Sequence, residues 1–344
     1  MPTIREVAQQ AGVSDATVSH VINNTRFVMP GTRDRVLAAM SSLNYRPNAL
    51  ARSLRQGKTN TIGLILPDSA NPFFAEISRC IEDEAFKLGY SVILCNTERD
   101  LKREQFYVDV LSKKQVDGMI FIAAGDQVDS LNFLLGEGIP VVLIDRDLPS
   151  REVDAVLSDN QKGGYLATRH LIDLGHTRIA CIAGPSNITP SSERIIGYHM
   201  ALEESDLPYD EELVLCGDYH PESGMQITKE FLAQDPRPTA IFALNDLMAL
   251  GALRAAAESG CSVPEDLAIV GFDDIELACY TNPPLTTISQ PKEETGIQAV
   301  NLLAGRISDK TLPPRRIVLQ PQLIIRGSTV LKKDRDVSEN SGCG

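Results

Sequence analysis

The spacing of apolar residues over residues 1–45 predicts three short helices. A T-x-x-E capping box begins at Thr3, and apolar residues then recur three and four positions apart. Ser14 would cap a second helix over 15–23, and a third is predicted over about 32–43. Two short helices joined by a tight glycine turn and closed by a third are typical of a helix-turn-helix.

From residue 61 onward, short apolar runs alternate with amphipathic segments. The predicted strands cover residues 62–66, 91–95, 118–122, 141–144, 179–183, 240–243, 267–270 and 286–289. The predicted helices lie near residues 72–88, 101–113, 130–137, 163–174, 192–203, 222–232, 247–258 and 293–304. Continuous apolar strands alternating with helices indicate parallel sheets covered on both faces. We therefore expect a small all-α helix-turn-helix head and an α/β body of two doubly wound parallel-sheet lobes. Their ligand cleft should lie at the carboxyl ends of the strands.

Composition excludes several classes of protein. The chain has 344 residues, of which 43% are hydrophobic and 23% charged, as in ordinary globular proteins. No apolar run is long enough for a membrane span, and the first residues contain no apolar signal segment. Seven scattered cysteines with no C-x-x-C spacing argue against a disulfide framework or a zinc finger. These features predict a cytoplasmic protein.

The charge is distributed unevenly along the chain. Residues 1–60 contain eight basic and three acidic side chains, whereas residues 61–344 carry a net charge of −18. A basic segment attached to an acidic body is typical of a small module that binds a polyanion. A chance fluctuation in surface charge is the alternative, but the helix-turn-helix pattern in the same segment favours DNA.

Motifs for catalysis are absent from the sequence. It contains no G-x-G-x-x-G, P-loop, H-E-x-x-H or G-x-S-x-G motif, and its five histidines lack metal-ligand spacing. We therefore predict no catalytic residue, no metal and no cofactor, and we do not expect an enzyme.

The second helix of the head would lie in the major groove of DNA. Its outward side chains are short and suited to base edges and phosphates: Asp15, Ala16, Thr17, Ser19 and His20. For each of them alone, a solvated helix face is the simpler interpretation. The helix-capping residues, the glycine turn, the helical spacing of apolar residues and the basic charge of the segment all agree, however. Together they predict a DNA-binding helix.

Several segments resemble the lactose-repressor (LacI/GalR) family of bacterial regulators. The resemblance rests on residues 4–8 (IREVA), 11–14 (AGVS), 17–19 (TVS) and 21–23 (VIN), and on the hinge-like segment 45–54 (YRPNALARSL). It continues to about residue 328 and implies a body like the periplasmic sugar-binding proteins. Its DNA-binding set includes, beside the helix face above, Thr3, Ser14, Asn23, Arg26, Asn48, Ala51, Leu54 and Arg55. Asp15 departs from the family pattern, which leaves the operator sequence open.

The hinge segment is expected to form a helix only when the repressor dimer binds DNA. Residues 48–55 make barely two turns, too few for a stable isolated helix in water. The resemblance implies that two such helices of a homodimer fold against each other and against DNA. Leu54 would then wedge between base pairs and kink the minor groove. The alternative role for Leu54 is a linker residue packed on the body.

Polar residues follow the predicted strands of the body. Each could simply cap a helix or form an ion pair, but they recur at equivalent strand ends. The family resemblance implies that the following bind the hydroxyl groups of a sugar: Asn71, Asp145, Arg146, Arg194, Asn245, Asp273 and Gln290. On the same resemblance, aromatic contacts would come from Phe73, Phe74 and Tyr219.

These observations predict a homodimeric repressor that binds palindromic operator DNA and is switched by a small sugar. Within the family, some body segments look most like ribose-responsive members, and purine-responsive members come second. Purine-responsive members have a second arginine where this chain has Ile188, which counts against a purine. Other hypotheses are a regulator answering to a purine co-repressor or a phosphoprotein, and a cytoplasmic sugar-binding protein or enzyme.

The expected domain boundaries follow from these segments. The head would comprise residues 1–46, the hinge 47–60 and the body 61–330, followed by a disordered tail over 331–344. Within the body, lobe 1 would take about 61–160 and 291–320, and lobe 2 about 161–290 and 321–330.

Overall fold

The computed structural model describes residues 2–45, 58–122, 129–145, 153–185 and 188–330. Its contacts divide the chain into two units, residues 1–59 and residues 60–344. Within the described residues, no helix combines the length and apolarity that a bilayer crossing requires.

Three helices form the head: α1 (Ile4–Ala11), α2 (Asp15–Asn23) and α3 (Pro30–Ser42). The predicted capping box at Thr3 is present, and Ser14 Oγ accepts a hydrogen bond from Thr17 N at 3.2 Å. The third helix starts two residues before its predicted start because a proline, with its fixed φ, fits the first helical position. The core of the head consists of small residues: Val7, Ala8, Ala11, Val18, Val21, Val36 and Ala39.

Twelve strands and eight α-helices are described in the body. The strands are β1 (Thr61–Leu66), β2 (Ser91–Asn96), β3 (Gly118–Ile122), β4 (Val141–Ile144), β5 (Asp154–Ser158), β6 (Ile179–Ala183), β7 (Val214–Cys216), β8 (Ala240–Ala243), β9 (Ala268–Asp273), β10 (Thr286–Ser289), β11 (Arg316–Leu319) and β12 (Gln322–Ile324). The helices are α4 (Pro72–Lys87), α5 (Leu101–Lys113), α6 (Asp129–Gly136), α7 (Asn160–Asp173), α8 (Thr189–Glu203), α9 (Pro221–Leu232), α10 (Asp246–Glu258) and α11 (Lys292–Ser308). Two 3-10 turns cover Glu211–Leu213 and Glu276–Tyr280.

The strands form two six-stranded sheets. The first has the order β11-β5-β4-β3-β1-β2 and is parallel throughout. The second has the order β12-β10-β9-β8-β6-β7, and only its β10–β12 pair is antiparallel. We call the first sheet with α4, α5, α6 and α11 lobe 1, and the second sheet with α7–α10 lobe 2. The chain passes between the lobes three times, after β5, β10 and β11. The carboxyl ends of strands from both sheets border one cleft.

Four strands were not predicted from the sequence: β5, β7, β11 and β12. Three of them are short, half-exposed strands at sheet edges, where no long apolar run is required. The strand β5 begins with Asp154, and this charged residue interrupts the apolar run by which buried strands are recognised. That carboxylate is buried and is compensated by the guanidinium of Arg306 at 2.9 Å.

Candidate functional site: an inter-lobe cleft and a helix-turn-helix surface

A cleft lies between the two lobes at the carboxyl ends of their strands. It contains about 540 Å³ of space, including space that is open to solvent. The cleft brings together eight residues predicted to bind the effector: Asn71, Phe73, Phe74, Asp145, Arg194, Tyr219, Asn245 and Asp273. Its remaining lining residues are Pro67, Arg99, Ile122, Ile188 and Pro190. The predicted residue Arg146 lies outside the described residues.

Lobe 1 contributes an aromatic pair at the start of α4. Asn71 caps this helix, its Oδ1 accepting a hydrogen bond from Phe73 N at 3.0 Å, and Pro72 follows in the first turn. The Phe73 and Phe74 rings meet edge to face with their centroids 5.2 Å apart. Phe73 is only 4% exposed and belongs to the core, so Phe74 offers more free ring surface to a ligand.

Asp145 is the acidic residue that lobe 1 contributes to the described lining of the cleft. It follows β4 with a φ of 56°, a left-handed conformation that aspartate tolerates better than most residues. Burial raises the pKa of its carboxyl, and the nearby Arg194 guanidinium opposes that rise. Asn160 Nδ2 donates a hydrogen bond to its Oδ1 at 3.3 Å.

Arg194, on α8 of lobe 2, is 4% exposed and is fixed by four groups. Its Nε donates to Asn160 Oδ1 at 2.9 Å, and its Nη1 donates to the carbonyl of Leu244 at 2.5 Å. The guanidinium carbon lies 3.7 Å from the ring centroid of Phe272, a cation–π contact. Asp273 Oδ1 is 3.8 Å from Nη1. A guanidinium held in this way presents its remaining donors in a fixed direction.

Two glycines allow this arrangement by letting α7 and α8 approach closely. A side chain at Gly164 would clash with the Arg194 carbonyl, and one at Gly197 would clash with the Gln161 carbonyl. Glycine is the residue that permits such contact between two helix backbones. The close crossing places the start of α7 beside Arg194.

Asp273 ends β9 on the same wall of the cleft as Arg194 and is 3% exposed. Its φ of 114° is a rare backbone conformation for a residue with a side chain. Gln290 Nε2 donates a hydrogen bond to Oδ1 of Asp273 at 2.8 Å. Gln290, which was predicted to bind the effector, therefore contacts a lining residue of the cleft but is not itself among the lining residues. Burial raises the pKa of Asp273 to about 7, while Arg194, the Gln290 hydrogen bond and Lys292 counteract part of the rise.

Asn245 and Tyr219 complete the wall formed by lobe 2. Asn245 caps α10, accepting from Met248 N at 2.9 Å, and its Nδ2 donates to the Tyr219 carbonyl at 3.1 Å. Tyr219 has a φ of 70° and is largely buried. Arg99 of lobe 1 stands over the Tyr219 ring, 5.4 Å from its centroid, and donates to the carbonyl of Asp218 at 2.9 Å.

In the head, most of the predicted DNA-facing residues lie on α2 or within three residues of its ends. Ser14, Asp15, Ala16 and Arg26 are exposed, and the remaining side chains of this face are half-buried: Thr17, Ser19 and His20. Asn23 differs from the others, because its Nδ2 donates back to the carbonyl of Ser19 at 2.8 Å. Thr3 caps α1. The predicted hinge contacts lie outside the described residues: Asn48, Ala51, Leu54 and Arg55.

Comparisons with known proteins agree with both parts of this architecture. Residues 3–48 match the family described as bacterial regulatory proteins, lacI family. Residues 59–327 match the family described as periplasmic binding proteins and sugar binding domain of LacI family. The chain belongs to the LacI family of bacterial regulators. It is accordingly a DNA-binding transcriptional repressor with a ligand-binding body, as predicted from its sequence.

Individual relatives of this LacI-family chain differ in the effector that their names suggest. The HTH-type transcriptional repressor PurR of Aliivibrio fischeri is 43% identical over 332 residues, covering 95% of this chain and 98% of the relative. The Lac repressor dimer bound to operator and the anti-inducer ONPF has a TM-score of 0.86 at 31% identity, covering 96% and 99%. A LacI-family regulator from Enterococcus faecium with bound ribose has a TM-score of 0.72 at 35% identity, covering 79% and 100%.

Sequence reasoning missed two polar residues of the LacI-family cleft. Arg99 follows the carboxyl end of β2, the same topological position that identified Asn71 and Asp145, so this signal was available. Asn160 is 3% exposed at the start of α7 and contacts both Asp145 and Arg194. Nothing in the local sequence distinguishes Asn160 from an ordinary first-turn residue.

Proposed function

We propose that this LacI-family repressor binds a palindromic operator as a homodimer in the cytoplasm and is switched by a small sugar. Ribose or a related pentose or hexose would occupy the inter-lobe cleft. The observation that supports a sugar is the set of polar groups on both walls. Arg194, Asn245 and Asp273 are buried, and Asp145 is half-buried. Ring hydroxyls both donate and accept, so carboxylates facing a guanidinium and an amide satisfy them well.

A purine is the second candidate, and the PurR name of close relatives favours it. Position 188 argues against it. Ile188 lines the cleft, where the family resemblance implies a second arginine in purine-responsive members. An isoleucine cannot hydrogen-bond the edge of a base, whereas it can pack beside a sugar ring.

The switch would operate through closure of the lobes. Asn71, Phe73, Phe74 and Asp145 belong to lobe 1, whereas Arg194, Asn245 and Asp273 belong to lobe 2. A ligand that touches both lobes favours the closed arrangement, and closure would change the spacing of the two hinges of a dimer. We expect the sugar to be an inducer that weakens operator binding about 5- to 150-fold, the usual range of such coupling.

Binding of candidate effectors to the full-length protein tests this proposal. Because the chain contains no tryptophan, calorimetry and thermal unfolding are the suitable measurements. D-ribose, other pentoses and hexoses are compared with hypoxanthine and guanine. We expect binding of one sugar without its turnover. If a purine base stabilises the protein and no free sugar does, the purine candidate replaces the sugar. Turnover of the bound sugar would identify an enzyme instead.

The head, the hinge and the body would keep separate roles within the boundaries given above, 1–46, 47–60 and 61–330. The outward residues of α2 would read the major groove, and Leu54 of the hinge would open the minor groove. Leu54→Ala should then reduce both DNA bending and operator affinity, by about 2–4 kcal/mol for loss of an intercalating wedge. Binding of the effector should be unchanged. Equal bend angles and affinities, measured with an operator selected from random DNA, would assign Leu54 to linker packing.

A further inference from the structure

The side-chain amide of Asn160 stands between two charged groups of the cleft. Its Oδ1 accepts from Arg194 Nε at 2.9 Å, while its Nδ2 donates to Asp145 Oδ1 at 3.3 Å. Nδ2 also lies 3.2 Å from the carbonyl of Ser158 and 3.3 Å from Glu193 Oε2. One buried amide therefore connects a carboxylate of lobe 1 to a guanidinium of lobe 2.

The chemistry of its neighbours determines which way this amide points. Arginine Nε can only donate, so the group that faces it has to be the amide oxygen. The groups on the other side are two carboxylates and a carbonyl, which accept, so the NH2 has to face them. An aspartate at position 160 would satisfy Arg194 but would set a third carboxylate beside Asp145 and Glu193. An alanine would satisfy neither side.

We propose that Asn160 is a positioning residue of the effector cleft, which aligns Arg194 and Asp145 for the ligand without touching the ligand itself. It is not among the lining residues of the cleft, although it contacts two of them. The bonds it makes use Nε of Arg194 and Oδ1 of Asp145. Nη1 of the arginine donates to the carbonyl of Leu244. Among the described residues, Nη2 of the arginine and Oδ2 of the aspartate make none of these bonds, and we assign these two atoms to the effector.

Asn160 also marks the point where the chain first passes from lobe 1 to lobe 2. Residue 158 ends β5 in lobe 1, and residue 160 begins α7 in lobe 2. The Asn160–Asp145 contact therefore joins the two lobes close to this crossover. The close crossing of α7 and α8 at Gly164 and Gly197 fixes the Asn160–Arg194 contact within lobe 2. The hydrogen bond from Arg194 to Asn160 therefore connects the guanidinium to the segment where the chain crosses between the lobes.

The first test observes Arg194 directly and needs no effector. In full-length protein with 15N-labelled arginine, Arg194→Lys identifies the Nε–H signal of Arg194 by its disappearance. We expect Asn160→Ala to accelerate exchange of this proton with water at least tenfold, whereas Asn160→Asp retains its protection. Gln161→Ala, an exposed neighbour in the same helical turn, is the matched control and should leave the signal unchanged. An unaltered signal in Asn160→Ala would overturn the proposal.

The second test exchanges the amide of Asn160 and the carboxylate of Asp145, which are in contact with each other. Asn160→Asp should lower the thermal stability at neutral pH because three carboxylates then converge. Adding Asp145→Asn restores the number of charges and should recover that stability, giving a clear interaction in the double-mutant cycle. Additive effects of the two substitutions would contradict the assignment, since they would mean that the side chain at position 160 does not interact with Asp145.

The third test measures ribose binding, and it alone rests on the proposed function. Asn160→Ala and Asn160→Asp should each weaken ribose binding at least tenfold, and the exchanged pair should not regain it because the Asp145 carboxylate is lost. Wild-type affinity for ribose in both single variants would overturn the positioning role. If the wild-type protein itself fails to bind ribose, the sugar hypothesis fails, while the exchange and stability tests still decide the role of Asn160.

Discussion

The head and the inter-lobe cleft place their functional residues in opposite environments. In the head, the predicted DNA-facing side chains lie at the surface of a core made of seven valines and alanines. In the cleft, the polar side chains are themselves buried: Arg194, Asn245 and Asp273 are 4%, 2% and 3% exposed. Surface residues are free to change with little effect on folding, whereas buried charges depend on their partners. The difference predicts which substitutions affect binding alone and which affect stability too.

The largest effect is expected from Asp273→Asn. An ionised carboxylate accepts from sugar hydroxyls, and losing charge-assisted hydrogen bonds costs about 1.5–3 kcal/mol each. We therefore expect sugar affinity to fall roughly tenfold to 100-fold for one such bond and more for two. Calorimetric titration measures this loss.

The neighbouring substitution Asp274→Asn is the matched control. Asp274 pairs with Arg326 at 2.7 Å and is not among the residues that line the cleft. Its replacement should leave sugar affinity nearly unchanged. Equal losses in the two variants would show that the carboxylate of Asp273 has no special place in recognition.

The next largest effect separates the stability of the head from that of the body. Val18→Ala removes two buried methyl groups from a core with few other contacts and should destabilise the head by about 2 kcal/mol. Operator binding should weaken, while the sugar still binds. Val270→Ala, at a fully buried position of β9, should instead lower the unfolding temperature of the body. A single cooperative transition that shifts alike in both variants, seen by scanning calorimetry, would show that the two units do not unfold independently.

The effect of pH is smaller per pH unit and follows from the burial of Asp273. Its pKa of about 7 in the folded protein exceeds the ordinary value of 3.8. Between these values the native state holds a proton that the unfolded chain releases. The free energy of unfolding from this group therefore falls as pH rises from about 4 to about 7, by up to about 1.4 kcal/mol per pH unit. Burial raises the pKa of Asp145 and Asp246 as well, so both contribute in the same direction.

Asp273→Asn isolates this contribution. The difference in unfolding free energy between wild type and variant, measured from pH 5 to pH 8 by denaturant titration, should fall with pH and level off above about 7. Sugar affinity of the wild type should rise over the same interval, because hydroxyls favour the ionised carboxylate. A difference that does not vary with pH would mean that Asp273 is ionised throughout.

The same contrast explains what the sequence could predict. Helices of the head and all interior strands of the body except β5 follow from periodicity and caps, because local patterns determine them. Asn71, Asp145 and Asp273 were found because parallel strands bring their carboxyl ends to one edge. Asn160 could not be found, since its role depends on the distant Arg194 brought close by two glycines. The strand β5 was missed because its buried charge is compensated by Arg306, 152 positions away along the chain.

The smallest effect is expected at Asp15, at the exposed start of α2, the helix that is predicted to contact DNA. Asp15 lies 3.6 Å from Arg5 at the surface, a pair of a kind worth about 0–1 kcal/mol. Asp15→Asn should leave the stability of the head within about 0.5 kcal/mol. Removing an acidic group near phosphates should strengthen binding to random DNA a few-fold at low salt and less at high salt. Ser41→Ala, at an exposed position of α3, serves as the control. If affinity for random DNA is unchanged at every salt concentration, Asp15 does not face the phosphates, and the orientation of α2 on DNA has to be revised.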